Sequence, residues 1–426
     1  MAITADENII RILVNVLYFI GLYLTIFWLS IIILNPKDNT KKRVRNWPTV
    51  SIIIPMYNEQ DTAEQTIRSV YELDYPKEKL EIYCVNDGST DNTLKILKKL
   101  NKEFNFHLLT QKNQGKYAAL NNALGKIDTE YFSCLDADSF VEKSSLKKIM
   151  EEFDSKDIKS VMPIMKVYQP ENLIQRLQWF EYIISVYYKY IMGKLDCIHV
   201  VPGPFGTYET KTVKELGGFR KAHLTEDLEM ALRLQDKHYK LKQCLDATVY
   251  TKTPPNLKAL VKQRVRWYQG TLLNVADYKH MLLNKRFEDF GVFHLPSVAL
   301  GGFFLFLGVI AALYLTIKTT FNTIKRWYLT DFDFMTYLTS YQFEINLLDW
   351  NWQNIFSLTV LLVLLYVFVY LAFAGNKERL SIFRSIKYSL MFLYYFIVYR
   401  FIIAYIWLII TYKLIFRKAN KWEKVN

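Results

Sequence analysis

Five short stretches of the sequence set chemistry-bearing side chains where apolar runs stop. Asp136 and Asp138 form DAD at the end of EYFSCLDAD. Two carboxylates one residue apart offer hard oxygen ligands to Mg2+ or Mn2+ and leave room for phosphate oxygens and water. A solvated turn is the competing reading, because aspartate is common in loops. NDGSTDNT (86–93) ends a second apolar run. There Asp87 can accept hydrogen bonds from a base or ribose, while Thr90 or Asp91 caps the following helix. Lys116 follows Gly115 in NQGKYAALNNAL, where a lysine meets a phosphate or simply opens a solvated helix. In TEDLEMALRLQ, Thr225 precedes two acids, Glu226 and Asp227. Acids in a first helical turn suit the helix dipole without further purpose; the chemical reading makes Asp227 a general base. QRVRW (263–267) crowds Arg264, Arg266 and Trp267 together. It reads either as a basic face on an anionic membrane with Trp267 as interfacial anchor, or as part of a site for an anionic ligand.

The elements that must position these residues follow from periodicity. VSIIIP, EIYCVND, HLLTQ and EYFSCLDAD read as strands, and TAEQTIRSVYEL and STDNTLKILKKL as helices between them. Alternating strands and helices over about residues 48–290 predict an α/β domain, doubly wound and Rossmann-like, around a mostly parallel sheet. Ligands of such sheets sit at the C-terminal strand ends, where YNE, NDGS and DAD fall. LIQRLQWFEYIISVYYKYIM (173–192) is apolar at helical spacing through Leu173, Ile174, Leu177, Phe180, Ile183, Ile184 and Tyr187. It is either a core helix or one lying on the bilayer.

Composition bounds the function class. Hydrophobic residues make up 51% and charged residues 22%, the mixture expected of a soluble domain joined to membrane segments. The net charge of +13 comes with no polybasic arm, so it belongs to membrane flanks and not to a nucleic-acid surface. Cys84, Cys134, Cys197 and Cys244 are widely spaced and read as buried free thiols of a reducing compartment. The histidines show no metal-ligand spacing.

Ile9–Leu34 is a nearly uncharged run of 26 residues, long enough for an uncleaved N-terminal anchor (1–36). Lys37, Lys41, Lys42, Arg43 and Arg45 follow it and place the next domain in the cytoplasm. A C-terminal membrane region (295–416) holds spans at Ser297–Ile317 and Ile355–Gly375, with Lys377, Arg379, Arg384 and Lys387 on the cytoplasmic side. Asp331, Asp333, Glu344 and Asp349 of the loop between them suit the outside. Tyr388–Thr411, interrupted by Arg400, is a further candidate. If it spans, Lys413, Arg417, Lys418, Lys421 and Lys424 come to lie outside, against the positive-inside rule; it otherwise reads as re-entrant or interfacial.

The ordered set NDGS, DxD, TED and QxxRW resembles the processive family-two glycosyltransferases of GT-A fold, a group that includes cellulose, hyaluronan and poly-N-acetylglucosamine synthases. Asp87, Asp138 and Asp227 fill the family's three aspartate places, and residues 228–262 supply its interval of 35 before Gln263. The resemblance implies that Tyr57, Glu59 and Asp87 contact uridine and that Asp136 and Asp138 hold ribose and metal. It further implies that Asp227, beside Glu226, is the base, and that Arg266, supported by Gln263, faces the diphosphate. Lys116 joins the nucleotide-sugar set, and Trp267 stacks on the acceptor sugar. VVPGPFGTYE lies where the family has an acceptor-binding turn, with Gly203 and Gly206 letting backbone approach the sugar. The implied activity is inverting transfer from a UDP-sugar with Mg2+ or Mn2+ by a multi-pass protein of the cell membrane, extending a polysaccharide that contains N-acetylglucosamine. Single addition to a lipid-linked acceptor, and a membrane subunit that conducts polymer without catalysis, are the competing expectations.

Overall fold

VSIIIPM forms strand β1 (Val50–Met56), buried along its whole length, as an unalternating apolar run requires when both faces of a sheet are covered. Its alternate residues serve two cores. Ile52, Ile54 and Met56 pack with Ala63, Ile67 and Val70 of α2 (Ala63–Tyr71), Leu97 and Leu100 of α3 (Thr93–Phe104) and Leu146 of α5 (Ser145–Met150). Ile53 packs on the opposite face with Leu120 and Leu124 of α4 (Lys116–Leu124), Val213 of α7 (Thr210–Glu215) and Met230 of α8 (Glu226–Asp236). Helices on both faces make the sheet doubly wound.

The computed structural model describes residues 5–35, 46–329, 331–333, 335, 352–378 and 394–416. Contacts divide the chain into two units, residues 35–300 with 372–426 and residues 1–34 with 301–371. In the first, β1 pairs in parallel with β2 (Leu80–Asp87) and β4 (Tyr131–Cys134), and β2 with β3 (His107–Gln111). The sheet has eight strands in the order β3-β2-β1-β4-β7-β6-β8-β5, with β5 Ser139–Val141, β6 Ile158–Val167, β7 Gly206–Glu209 and β8 Lys240–Thr251. The β4–β7, β6–β7 and β5–β8 pairs are antiparallel. The sheet is therefore mixed beyond β4. The fourth strand also stops earlier than its apolar run predicts: the chain leaves the sheet after Cys134, so Asp136 and Asp138 ride a short connection into β5.

Helix α6 (Leu173–Gly193) opens with a capping box in which Asn172 accepts from the Gln175 backbone at 3.0 Å. It packs on β6 and β8 and buries Leu177, Phe180, Ile183 and Tyr187. QRVRW lies within α9 (Leu257–Asp277), capped by Asn256, whose side chain accepts from Ala259 N at 2.9 Å. Against α9 packs α12 (Val398–Ile415), with the Tyr268 and Trp407 rings stacked at 6.0 Å.

In the other unit, Tyr18 of α1 (Ala5–Leu34) donates to the Ser357 carbonyl of α11 (Trp352–Gly375) at 2.5 Å. Trp28 meets Phe368 at 5.7 Å between ring centroids. The first expected C-terminal span continues into a longer helix, α10 (Leu295–Leu329). Among the described residues three helical stretches, Phe290–Leu329, Ile355–Gly375 and Tyr394–Ile415, are long and apolar enough to cross a membrane, and α1 contains the shorter apolar stretch Tyr18–Leu34. The flanking Lys37, Lys41, Lys42, Arg43, Arg45, Glu344, Asp349, Arg379, Arg384, Lys387, Arg417, Lys418, Lys421 and Lys424, and residues 388–393 of the last candidate span, lie outside the described residues.

Candidate functional site

Adjacent parallel strands bring the loops after β1 and β2 side by side, and side chains stitch them together. Asn58, at φ 56°, accepts from Thr90 N at 2.8 Å, and its own N–H donates to the Ser89 hydroxyl at 3.1 Å. The Glu59 N–H donates to the Thr93 hydroxyl at 2.7 Å, and the Glu59 carboxylate accepts from Thr62 at 2.8 Å. Tyr57 is half-buried beside them. Asp91 accepts from Thr93 N at 2.9 Å, the local role expected of it at the start of α3.

Asp87 is nearly buried, and its carboxylate accepts from Gln111 Nε2 at 2.8 Å, Gln114 N at 3.0 Å and Gly115 N at 2.9 Å. The residue expected to meet uridine thus also fixes the loop that delivers Lys116. Gly88 makes that approach possible: its φ is 71°, and a Cβ there would sit 2.6 Å from Asn113 N.

Lys116 is the hub of the site. Its ammonium stands 2.5 Å from Asp136 and 3.3 Å from Glu226, which come from the β4–β5 connection and the first turn of α8. Burial alone would lower the Lys116 pKa, but Asp136, Glu226 and Asp227 raise it above the usual value, so the lysine stays charged. The carboxylates outnumber it. Burial, then Asp136 and Glu59, push Asp138 up to about 7. Burial, then Glu226, push Asp227 up to about 6, although Leu228 N donates to it at 2.8 Å. Gly203 closes one wall: a Cβ there would lie 2.4 Å from Lys116 Nζ and 2.7 Å from Asp136. The glycine expected at the acceptor turn therefore abuts the Lys116–Asp136 pair.

The metal expected at Asp136 and Asp138 fits this donor set. The set is all oxygen, and a divalent cation would offset the burial and the neighbouring carboxylates that raise Asp138. Among the described residues no group of three or more His, Cys, Asp or Glu could hold a metal; the remaining ligands would come from phosphate and water.

The approach to Glu226 and Asp227 is a strained turn. Ala222, His223 and Leu224 have φ of 40°, 53° and 68°, a left-handed run without glycine that persists only if its surroundings hold it. Helix α9 does so. Arg266 donates to the Leu224 carbonyl at 2.9 Å, Asn274 to the Ala222 carbonyl at 3.2 Å, and His223 Nε2 lies 2.9 Å from Asp277. Asn274 and Gly270, the contacts of α9 with Thr225, carried no motif to mark them in the sequence.

The two arginines of QRVRW part company. Two residues along a helix are about 200° apart, so Arg264 turns inward while Arg266 faces the turn. Arg264 is fully buried and meets the Glu181 carboxylate of α6 at 2.5 Å. Its guanidinium also covers one face of Trp267, 4.2 Å from the ring centroid, and donates to Gln263 at 2.5 Å. The anion that Arg264 meets is thus internal. Arg266, Trp267 and Gln263 remain half-buried. Glu181 was legible only as a charge interrupting the apolar face of α6.

Residues 51–216 match the family model described as glycosyl transferase family 2. The chain is 28% identical over 268 residues to a poly-beta-1,6-N-acetyl-D-glucosamine synthase of Staphylococcus epidermidis, covering 60% of this chain and 65% of that protein's length. It is 29% identical over 289 residues to the protein of the same name from Staphylococcus aureus strain MSSA476, covering 64% and 69%. Among solved structures, the mannosyltransferase PcManGT from Pyrobaculum calidifontis, in complex with GDP-Man and Mn2+, superimposes with a TM-score of 0.61 over 87% of this chain and 98% of that one. At 18% identity that likeness speaks for the fold.

Proposed function

We propose that this chain, a glycosyltransferase with a family 2 domain on a GT-A fold, extends an N-acetylglucosamine-containing polysaccharide from a UDP-sugar at the inner face of the cell membrane. The observation that carries the proposal is the meeting of Lys116, Asp136 and Glu226, from three separate elements, beside Asp227 at the strand ends. The name shared by the staphylococcal relatives supports the sugar and the polymer. The three apolar helices support a membrane setting, and the lysines and arginines after residue 36 support the cytoplasmic side.

In the proposed chemistry Asp227 takes the proton of the acceptor hydroxyl. The freed oxygen pair forms the new bond to the anomeric carbon from the face opposite the diphosphate, and the bond from that carbon to the diphosphate oxygen breaks, inverting the centre. Lys116 and Arg266 supply fixed positive charge towards the departing group. Asp136 and Asp138 would hold a divalent cation, a role supported by the Mn2+ in the complex of the solved mannosyltransferase, and the ion would supply charge neutralisation at the diphosphate. Tyr57, Glu59 and Asp87 shape the nucleoside end, and Trp267, with one face held by Arg264, offers the other to the acceptor.

Reconstitution in proteoliposomes with UDP-N-acetylglucosamine and Mg2+ tests the proposal through product length. Polymer is expected. A single added sugar would replace it with transfer to a lipid-linked acceptor. Failure to release UDP from any UDP-sugar would overturn it.

A further inference from the structure

The last apolar stretch of the chain carries a charge, Arg400, with a run of aromatic residues before it in YYFIVYR (394–400). In the structure these side chains cover one another. Tyr395 and Tyr399 stack at 5.4 Å between centroids, and the Arg400 guanidinium lies 5.0 Å from the Tyr395 ring and 5.6 Å from that of Phe396. A phenylalanine at 399 would serve this packing equally well. Tyr399, 1% exposed at the start of α12, adds a hydroxyl, and a buried hydroxyl without an acceptor is costly. It donates to Glu181 Oε2 of α6 at 2.8 Å.

The same oxygen accepts from Arg264 of α9 at 2.5 Å. Three helices thus converge on one carboxylate oxygen. Arg264 and Trp267 are three residues apart and share a face of α9, and the flat guanidinium lies 4.2 Å from the Trp267 ring centroid. Among the described residues no aromatic ring joins it in stacking on Trp267. A planar group bonded to both Glu181 and Gln263 has a fixed plane, and the indole that rests on it takes its tilt from that plane. Tyr399 and Arg264 are out of solvent, whereas Trp267 is half-buried. The relay therefore starts inside the packing of α12 and ends on a ring that a ligand can reach.

We propose that Tyr399 is a positioning residue for the acceptor: its hydroxyl, through Glu181 and Arg264, fixes the tilt of the Trp267 ring against which the acceptor sugar stacks. The inference rests on the reading of Trp267 as an acceptor contact in the proposed function. It makes α12 part of the acceptor site and not only an apolar helix beside it. Without the hydroxyl, Glu181 turns about its side-chain bonds, the guanidinium follows, and the indole no longer meets the sugar flat. Stacking holds the acceptor in the ground state and the transition state alike, so affinity falls while the chemical step is kept.

The test compares the wild type, Tyr399→Phe, Trp267→Leu and the double variant, each as the full chain in one detergent, with UDP-N-acetylglucosamine, Mg2+ and a short N-acetylglucosamine oligosaccharide. Tyr399→Phe keeps the ring packing and is expected to fold and to melt close to the wild type. Its acceptor KM should rise about three- to tenfold, the lower part of the range of a lost hydrogen bond to a charged group. Its donor KM, and its kcat at saturating acceptor, should stay within about twofold of the wild type. In the Trp267→Leu background the same substitution should change acceptor KM by less than about twofold, because no ring is left to position. A wild-type acceptor KM in Tyr399→Phe, an equal cost in both backgrounds, a loss of donor and acceptor affinity alike, or failure to fold overturns the proposal. Trp267→Leu with a wild-type acceptor KM removes Trp267 from the acceptor site, and a wild type that releases no UDP sinks the functional reading. Either takes the proposal with it, and each is told apart by arising without any change at 399.

Discussion

The side-chain amide of Asn274 donates to the Thr225 hydroxyl at 2.8 Å. This bond ties the helix of QRVRW to the residue that precedes Glu226 and Asp227. Beside it, Gly270 lets the α9 backbone come up against the Thr225 side chain, since a Cβ there would fall 2.6 Å from Thr225 Cγ2 and Oγ1. Arg266 adds its bond to the Leu224 carbonyl one residue earlier. Helix α9, which carries QRVRW, and residues 222–225, which lead into Glu226 and Asp227, are thus held in direct contact although 35 residues separate Asp227 from Gln263 in the sequence.

Gly270→Ala should separate folding from turnover. The added methyl forces Thr225 and the left-handed turn before it to move by a fraction of an ångström. A misplacement on the order of 1 Å costs about a hundredfold in rate, so kcat is expected to drop ten- to a hundredfold with donor affinity nearly unchanged. Calorimetry with UDP and initial-rate measurements check this; an alanine variant with full kcat would remove Thr225 from the positioning of the base.

Arg264 and Arg266 should fail differently. Removing one partner of a buried ion pair costs about 3–5 kcal/mol, so Arg264→Ala is expected to lose stability in thermal melts and to yield little folded protein. Arg264→Lys loses the planar contact with Trp267 and the separate guanidinium bonds to Glu181 and Gln263. It should melt lower while retaining turnover per folded molecule. Arg266→Lys should keep its melting temperature and lose turnover. Equal effects at both positions would contradict this division.

The acid limb of the pH profile should belong to Asp227. Burial and Glu226 raise its pKa from 3.8 to about 6, and a base acts only when ionised. The ionised fraction therefore falls as pH drops through 6, and kcat/KM should decline about tenfold per unit below that point and level off above 7. Asp227→Asn should abolish transfer and leave donor binding near wild type. A limb centred near pH 4, or an active asparagine variant, would exclude Asp227 as the base.

Chelation should stop transfer, and Mg2+ or Mn2+ should restore it. In Asp138→Asn, restoration should fail or require far more metal, because one of two carboxylate ligands is gone. Full turnover in EDTA would return Asp136 and Asp138 to the role of turn residues.

Much of the sheet was legible because its strands are uninterrupted apolar runs between turn residues; β1, β2 and β3 fall where VSIIIP, EIYCVND and HLLTQ place them. β4 was overextended because Leu135 and Ala137 are buried without being in a strand, and burial, not strand, is what an apolar run reports. The motif residues were legible as a set, but their partners were not. Which arginine of QRVRW turns inward depends on where α6 lies, and the pairing of Lys116 with Asp136 and Glu226 is non-local. Asn274 carries no pattern of its own; only the packing of α9 on the turn distinguishes it.

The four cysteines, free and buried in the transferase unit, have a practical consequence. Burial lifts their thiols above the ordinary range, so an impermeant maleimide meets almost no reactive thiolate on the folded chain. The native protein is therefore its own silent background for accessibility mapping. Single replacements such as Asp331→Cys after α10 and Phe416→Cys after α12 become isolated reporters, and labelling of intact cells against lysed ones reads directly on which side of the bilayer each helix ends.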